Sequence, residues 1–136
     1  MISAICKEIE LRKNFLKDKA LDSVYFGGGT PSLLEWQDLE RIFEKITSVY
    51  TIKHDAEITL EANPDDINLQ TLSHFRKAAI NRLSLGIQSF FDEDLKWMNR
   101  AHSAIEAHNS ILLAQDAGYD NITIDLIYGS PTTTDD

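Results

Sequence analysis

Hydrophobic residues recur along the chain with two alternating periods, one typical of amphipathic helices and one typical of buried strands. Ile2, Ile5 and Ile9 lie three and four residues apart, and this spacing predicts a helix over residues 2–17. The apolar run at residues 23–26 then predicts a short strand. The chain therefore begins with a helix followed by a strand.

The same pairing recurs three more times. Further helices are predicted after Ser32, Asn68 and Ser103, and both serines precede a glutamate by the capping-box spacing. A short helix is predicted at 92–98, and strands are predicted at 56–61, 82–87 and 121–128. The strands start roughly 30 residues apart, which is the length of a βαβ unit. The sequence therefore predicts an α/β fold, with a parallel sheet of about four strands and flanking helices.

Composition adds several exclusions. The 136 residues include 13 Lys+Arg against 22 Asp+Glu, a net charge of −9 without a basic cluster, so we expect no nucleic-acid partner. One cysteine, Cys6, excludes an intrachain disulfide and any cluster held by several thiolates of this chain alone. No apolar run approaches the roughly 18 residues of a transmembrane segment. We expect a single cytoplasmic domain over residues 1–136.

Polar or backbone-exposing residues stand at or near the end of each predicted strand. Residues 27–30 (GGGT) follow the first strand, Glu61 ends the second, Gln88 follows the third and Asp125 lies within the fourth. The carboxyl ends of parallel strands meet at one rim, so we predict a ligand site there. Three consecutive glycines allow close approach of a ligand and supply backbone N–H donors.

Each of these residues also has a purely structural interpretation. The glycines could form a strand-to-helix turn that needs positive φ, and Gln88 could cap the next turn. A buried Asp125 would need a partner, because an unpaired buried carboxylate is costly. That partner could be Arg82 or Arg100, in an ion pair, or the hydroxyl of a ligand.

Five segments carry a more specific signal when they are taken in order. They are 24–32 (VYFGGGTPS), 61–64 (EANP), 82–90 (RLSLGIQSF), 99–103 (NRAHS) and 124–131 (IDLIYGSP). Together they resemble the radical S-adenosyl-L-methionine (SAM) enzymes of the oxygen-independent coproporphyrinogen III oxidase and haem-chaperone group. The resemblance implies a partial (βα)6 barrel, similar to a TIM barrel, that holds SAM and a [4Fe–4S] cluster.

The resemblance also implies contacts to the amino-acid end of SAM. The backbone of Gly28, Gly29 and Thr30 would meet the methionine amino group, with Glu61 nearby. Arg100 would pair with the methionine carboxylate. These residue types suit the ligand, because an ammonium binds carbonyls and a carboxylate, whereas a carboxylate binds a guanidinium fork.

At the other end of the ligand, the resemblance implies that Gln88 and Asp125 bond the ribose hydroxyls. The implied activity is radical-based oxidative decarboxylation of coproporphyrinogen III to protoporphyrinogen IX in haem biosynthesis. The haem chaperones of the group share this core, so binding and delivery of haem is the alternative. The expected partner is accordingly a tetrapyrrole substrate or haem.

The chain departs from the pattern of the group at several positions. The CxxxCxxC cluster loop is absent, and Cys6 lies in the helix that should follow that loop. Ala79 and Asn99 stand where glycine is usual, and Ser130 stands in a usual Gly-Leu-Pro. We therefore expect a fragment that lacks the cluster ligands and is inactive alone. Its truncated edges would favour a homodimer or a domain swap.

Two alternatives of other classes stay open at the level of sequence. The chain could be a non-catalytic binding or assembly domain that keeps the rim of the barrel without the cluster loop. It could also be a barrel hydrolase that uses Glu61 and Asp125 as acid and base.

Overall fold

A parallel sheet of four strands forms the centre of the computed structural model, which describes residues 1–132. The strands are β1 (Ala20–Phe26), β2 (Thr51–Ala62), β3 (Arg82–Gln88) and β4 (Ile122–Leu126). The helices are α1 (Ile2–Leu11), α2 (Trp36–Val49), α3 (Leu69–Lys77), α4 (Asp92–Trp97) and α5 (Ala104–Asp116). The predicted domain span of 1–136 also includes residues 133–136, which lie outside the described residues.

The strands lie in the sheet in the order β1-β2-β3-β4, and every neighbouring pair is parallel. Each strand therefore lies beside the one that precedes it in sequence, with at least one helix in every connection. This order differs from the reversing order of a doubly wound sheet and matches a continuous segment of a barrel. The predicted α/β architecture is confirmed.

One face of the sheet is apolar and lies beneath the helices, and the other is polar. On β3, Leu83, Leu85 and Ile87 are fully buried, and they alternate with Ser84 and Gly86 on the opposite face. The helices contribute further fully buried side chains to the apolar layer, including Leu39, Leu72 and Phe75. Because side chains alternate along a strand, this burial leaves the polar set together on the barrel-facing side.

Two predicted helix caps are confirmed and one is wrong. The side chain of Asn68 accepts a hydrogen bond from Thr71 at the start of α3, and Ser103 forms a capping box with Glu106 at the start of α5. Ser32 caps no helix; it lies in a 3-10 turn at Pro31–Leu33, and α2 begins without a side-chain cap. The reason is that the Ser32 hydroxyl donates instead to Asp66.

Strand pairing moves several boundaries away from those predicted. Helix α1 ends at Leu11 rather than at residue 17, and β1 begins at Ala20 because that residue pairs with Thr51. The N–H of Ala20 also donates to the Asp18 side chain, which closes the turn before the strand. Local hydrophobicity therefore underestimates the length of strands whose ends are polar.

The outer face of the last strand carries exposed apolar side chains. Ile124 and Leu126 are among them, and Ile127, directly after the strand, is exposed too, as expected for a sheet edge that no helix of the described chain covers. Whether a second copy covers this surface, by homodimer formation or domain swapping, stays a prediction. Among the described residues, no helix is both long enough and apolar enough to span a membrane.

Candidate functional site

A polar cleft of about 220 Å³ lies at the carboxyl ends of the four strands. Six of the predicted site residues line it: Gly29, Thr30, Glu61, Gln88, Arg100 and Asp125. The seventh, Gly28, lies at its edge and donates its backbone N–H to Glu61 at 3.0 Å. The structure thus brings together all seven residues that the sequence singled out.

The glycines after β1 meet two different physical demands. Gly28 and Gly29 have φ of +81° and +66°, and a Cβ atom on either would contact nothing within 4 Å. These two are therefore needed for backbone conformation rather than for space. At Gly27, by contrast, a Cβ atom would lie 2.8 Å from Glu61 Oε1 and 2.8 Å from Tyr25 Cε1. Gly27 is the position that lets Glu61 lie against the loop.

Neutral donors hold the Glu61 carboxylate from one side. The Tyr25 hydroxyl donates to Oε1 at 2.9 Å, and the Gly28 N–H donates to Oε2 at 3.0 Å. The hydrogen bond to Glu61 raises the pKa of Tyr25 above its ordinary value, and burial adds to the effect. No cationic side chain among the described residues forms an ion pair with Glu61. Its negative charge therefore lacks a positive partner.

Neutral acceptors likewise hold the guanidinium of Arg100. Its Nη2 donates to Asn63 Oδ1 at 2.7 Å and lies 3.4 Å from the Gly86 carbonyl oxygen. Its Nε is buried and has no hydrogen-bond partner. No carboxylate within the described part of the chain pairs with it. Arg100 therefore brings a positive charge into the cleft without an internal counter-ion.

The backbone around Arg100 is fixed on both sides. Asn99 has φ of +54°, the left-handed conformation that glycine adopts most easily. Two residues beyond Arg100, the buried His102 ring donates from Nε2 to the Ile87 carbonyl oxygen at 3.0 Å. Ala79, the other residue that stands where glycine is usual, has φ of +58°. Both departures from the pattern thus keep the conformation that glycine favours.

Gln88 and Asp125 line the same cleft. Gln88 has φ of +66° at the end of β3, and its carbonyl accepts a hydrogen bond from the Ile127 N–H at 2.8 Å. Asp125 is exposed, and the ion pair considered for it with Arg82 or Arg100 is not formed. The nearest carboxylate partner of Arg82 is Glu57, at 3.6 Å. Asp125 is therefore accessible to a ligand in the cleft.

Three residues around the cleft were not among the predicted site residues. Tyr25 and Asn63 make the contacts to Glu61 and Arg100, and Gly86 lies beneath both Gln88 and Arg100, where a Cβ atom would be 2.9 Å from Gln88 Nε2. The period-2 pattern could have placed Tyr25 on the polar face, since it pairs with Thr59 in the register of β1 and β2. Asn63 lies in the EANP segment at the end of the second strand, but its pairing with Arg100, 37 residues away, leaves no signal in the sequence.

Comparison with known proteins places this geometry in a family. The model of the radical SAM superfamily matches residues 7–136. The heme chaperone HemW of Lactococcus lactis is 40% identical over 114 residues, which are 84% of this chain and 30% of that protein. The mitochondrial radical S-adenosyl methionine domain-containing protein 1 of Dictyostelium discoideum is 39% identical over 135 residues, or 93% and 30% of the two chains.

A solved structure gives the same result. Coproporphyrinogen III oxidase (HemN) from Escherichia coli, described as a radical SAM enzyme, matches with a TM-score of 0.86 and 32% identity. The match covers 97% of this chain and 30% of that one, so the present chain spans about 30% of the length of these relatives. The chain belongs to the radical SAM superfamily and is homologous to the HemW and HemN proteins.

Proposed function

We propose that the cleft binds SAM and that Glu61 and Arg100 hold its amino-acid end. One observation carries the proposal: a carboxylate and a guanidinium line one cleft, and neither has an ion-pair partner among the described residues. A ligand that carries an ammonium and a carboxylate on the same carbon atom would supply both missing charges.

The hydrogen-bonding properties of Arg100 and Glu61 determine which of them binds the ligand carboxylate and which binds the ammonium. The guanidinium of Arg100 matches a carboxylate, because its planar fork can donate two parallel hydrogen bonds. Glu61 accepts only, so it suits the ammonium, and the carbonyls of Gly28, Gly29 and Thr30 are further acceptors nearby. Because Tyr25 and the Gly28 N–H donate to Glu61 without neutralising it, the carboxylate keeps its charge for the ligand.

Gln88 and Asp125, which line the same cleft, would bind the ribose hydroxyls of SAM. A carboxylate accepts from a hydroxyl, and an amide can both donate and accept. The exposure of Asp125 and its lack of an ion pair among the described residues support this assignment.

The second group that the family implies, a [4Fe–4S] cluster, does not fit the residues of this chain. Such a cluster is held by several cysteine thiolates, and the chain has one cysteine. The Cys6 thiol lies on α1 and points at the Arg41 carbonyl oxygen at 3.8 Å, and the described residues contain no group of three or more metal-ligating side chains. What SAM supplies in this family is an adenosyl group that radical chemistry uses.

For the protein as a whole, we propose a role in tetrapyrrole chemistry, with residues 1–136 acting as one domain of the radical SAM core. The names of the HemW relatives favour binding and delivery of haem, and the likeness to HemN supports oxidative decarboxylation of coproporphyrinogen III as the other candidate. A cytoplasmic location stays part of the proposal, although one relative is named mitochondrial. Anaerobic assays of haem binding and of coproporphyrinogen decarboxylation would separate the two activities.

Calorimetric titration of the chain with SAM tests the proposed site. E61Q and R100Q should each weaken binding by about 10–100-fold, the effect of losing a charge-assisted hydrogen bond. Matched controls are E40Q and R12Q, which remove the same charges from exposed positions on other faces. Wild-type chain that shows no saturable binding, or site variants that bind like the controls, would favour a non-catalytic domain or a hydrolase instead.

A further inference from the structure

A chain of hydrogen bonds runs along the rim from the glycine loop to Arg100. The Ser32 hydroxyl donates to Asp66 Oδ2 at 2.6 Å. The same oxygen accepts from the backbone N–H and from the side-chain Nδ2 of Asn63, both at 3.4 Å. Asn63 Oδ1 then accepts from Arg100 Nη2 at 2.7 Å. Three separate segments, which follow β1, β2 and α4, are joined in this way.

The donor and acceptor groups of each residue in this series set the orientation of the next side chain. An amide side chain has one acceptor oxygen and one donor nitrogen, and its orientation is set by the hydrogen-bonding groups around it. Asp66 accepts only, so it selects the Nδ2 end of Asn63 and turns Oδ1 toward Arg100. Ser32 is buried, and its hydroxyl donates to the Asp66 carboxylate, which sets the orientation of the Asn63 amide.

Arg100 depends on this arrangement for its direction. Its other acceptor, the Gly86 carbonyl oxygen, lies farther away at 3.4 Å, and its Nε has no partner. A long side chain with several rotatable bonds keeps one direction only when a short hydrogen bond or tight packing holds it. Asn63 Oδ1 supplies that bond at 2.7 Å.

We infer that Ser32, Asp66 and Asn63 are positioning residues that aim the Arg100 guanidinium at the carboxylate of the ligand. The inference rests on the proposed function and adds to it three residues that act through Arg100. Ser32 lies two residues after Thr30 of the glycine loop. The same series of hydrogen bonds therefore sets the position of Arg100 relative to the loop that receives the ammonium. Selectivity for an amino acid with a free carboxylate is then a property of the whole rim.

The test compares the effect of each variant on the affinity for two ligands that differ only in the carboxylate. Calorimetry is carried out on the chain with SAM and with decarboxylated SAM, which keeps the ammonium and the adenosine but has no carboxylate. S32A and N63L should weaken binding of SAM by about tenfold, and binding of the decarboxylated analogue by less than about twofold. The controls S48A and N109L make the same chemical changes at exposed positions and should leave both affinities unchanged.

A merely structural role predicts a different result, because general loosening of the rim would weaken both ligands equally. Equal loss for the two ligands, or no loss for either, would overturn the inference while leaving the proposed function in place. Failure of the wild-type chain to bind SAM would overturn the proposed function and the inference with it.

A second measurement reads Arg100 directly and needs no ligand. The buried Arg100 Nε–H should give a resolved, slowly exchanging NMR signal in the wild-type chain. N63L should broaden that signal or accelerate its exchange, whereas N109L should not. An unchanged signal in a folded N63L variant would overturn the positioning role.

Discussion

The Gly28 backbone N–H donates to the Glu61 carboxylate at 3.0 Å, and this bond ties the loop after β1 to the end of β2. The Tyr25 hydroxyl holds the other carboxylate oxygen at 2.9 Å, so the direction of Glu61 is set by β1 and its loop. The contact is possible because Gly27 has no Cβ atom at the point where Glu61 lies against it. The position of Glu61 in the cleft therefore depends on Gly27 and Tyr25 as well as on Gly28.

Replacing Gly27 by alanine should displace Glu61. The new Cβ would lie 2.8 Å from Glu61 Oε1, too close for either group to stay in place. We expect SAM affinity to fall by at least about tenfold, since the carboxylate would lose its hydrogen-bond geometry. The control is G129A, which has φ of +74° and open space around its Cβ. It should lower the melting temperature and leave SAM affinity unchanged, and equal affinities of G27A and wild type would contradict the account.

The variant Y25F should lose one donor to Glu61 without unfolding the chain. Tyr25 is more than half exposed, so little packing is lost, and SAM affinity should fall by about 3–10-fold through less precise placement of the carboxylate. Y128F serves as the control because Tyr128 is almost fully exposed. Calorimetry at neutral pH checks the result, and Y25F that binds SAM as tightly as Y128F would show that the hydroxyl has no role.

Ala79 offers a stability test that is independent of ligand. Its φ of +58° is strained for alanine, so A79G should raise the free energy of unfolding by up to about 1 kcal/mol. The matched control A4G places glycine inside α1 at an exposed position and should lower that free energy by about 0.5–1 kcal/mol. Urea denaturation of the three proteins measures both effects. If A79G lowers the free energy of unfolding as much as A4G does, residue 79 does not have the left-handed backbone conformation.

Tyr119 should make the stability of the fold sensitive to alkaline pH. Burial raises the pKa of Tyr119 to about 12, against an ordinary value of 10.0, although nearby Arg76 lowers it. The folded chain therefore keeps a proton that the unfolded chain loses, and this contribution to stability is complete below about pH 10 and declines toward pH 12. Denaturation of wild type and Y119F across this range gives the free energy of unfolding at each pH. Its decrease with pH should be less steep in the variant, by up to about 1.4 kcal/mol per pH unit. Parallel curves for the two proteins would contradict the assignment.

The sequence predicted the order of helices and strands, because alternating hydrophobic periods report which face of each element is buried. It also placed Glu61, Gln88 and Asp125 at one rim, since parallel strands end on the same side. The resemblance to the radical SAM group added Arg100, which no pattern of strand ends would have selected.

The contacts that organise the site were not predictable in the same way. Asn63 and Arg100 are 37 residues apart, and Ser32 and Asp66 are 34 apart. Each pairing depends on how separate loops meet above the sheet, which hydrophobic periodicity does not report. Ser32 is the clearest case, because its spacing to Glu35 predicts a helix cap and its hydroxyl donates across the rim instead.

A structure of the chain with bound SAM tests the central claim most directly. The account predicts that the ligand carboxylate lies within hydrogen-bond distance of the Arg100 guanidinium and that its ammonium lies within the same distance of Glu61. The ribose hydroxyls should face Gln88 and Asp125. A ligand bound in the reverse direction, or at another part of the surface, would contradict the assignment of the cleft.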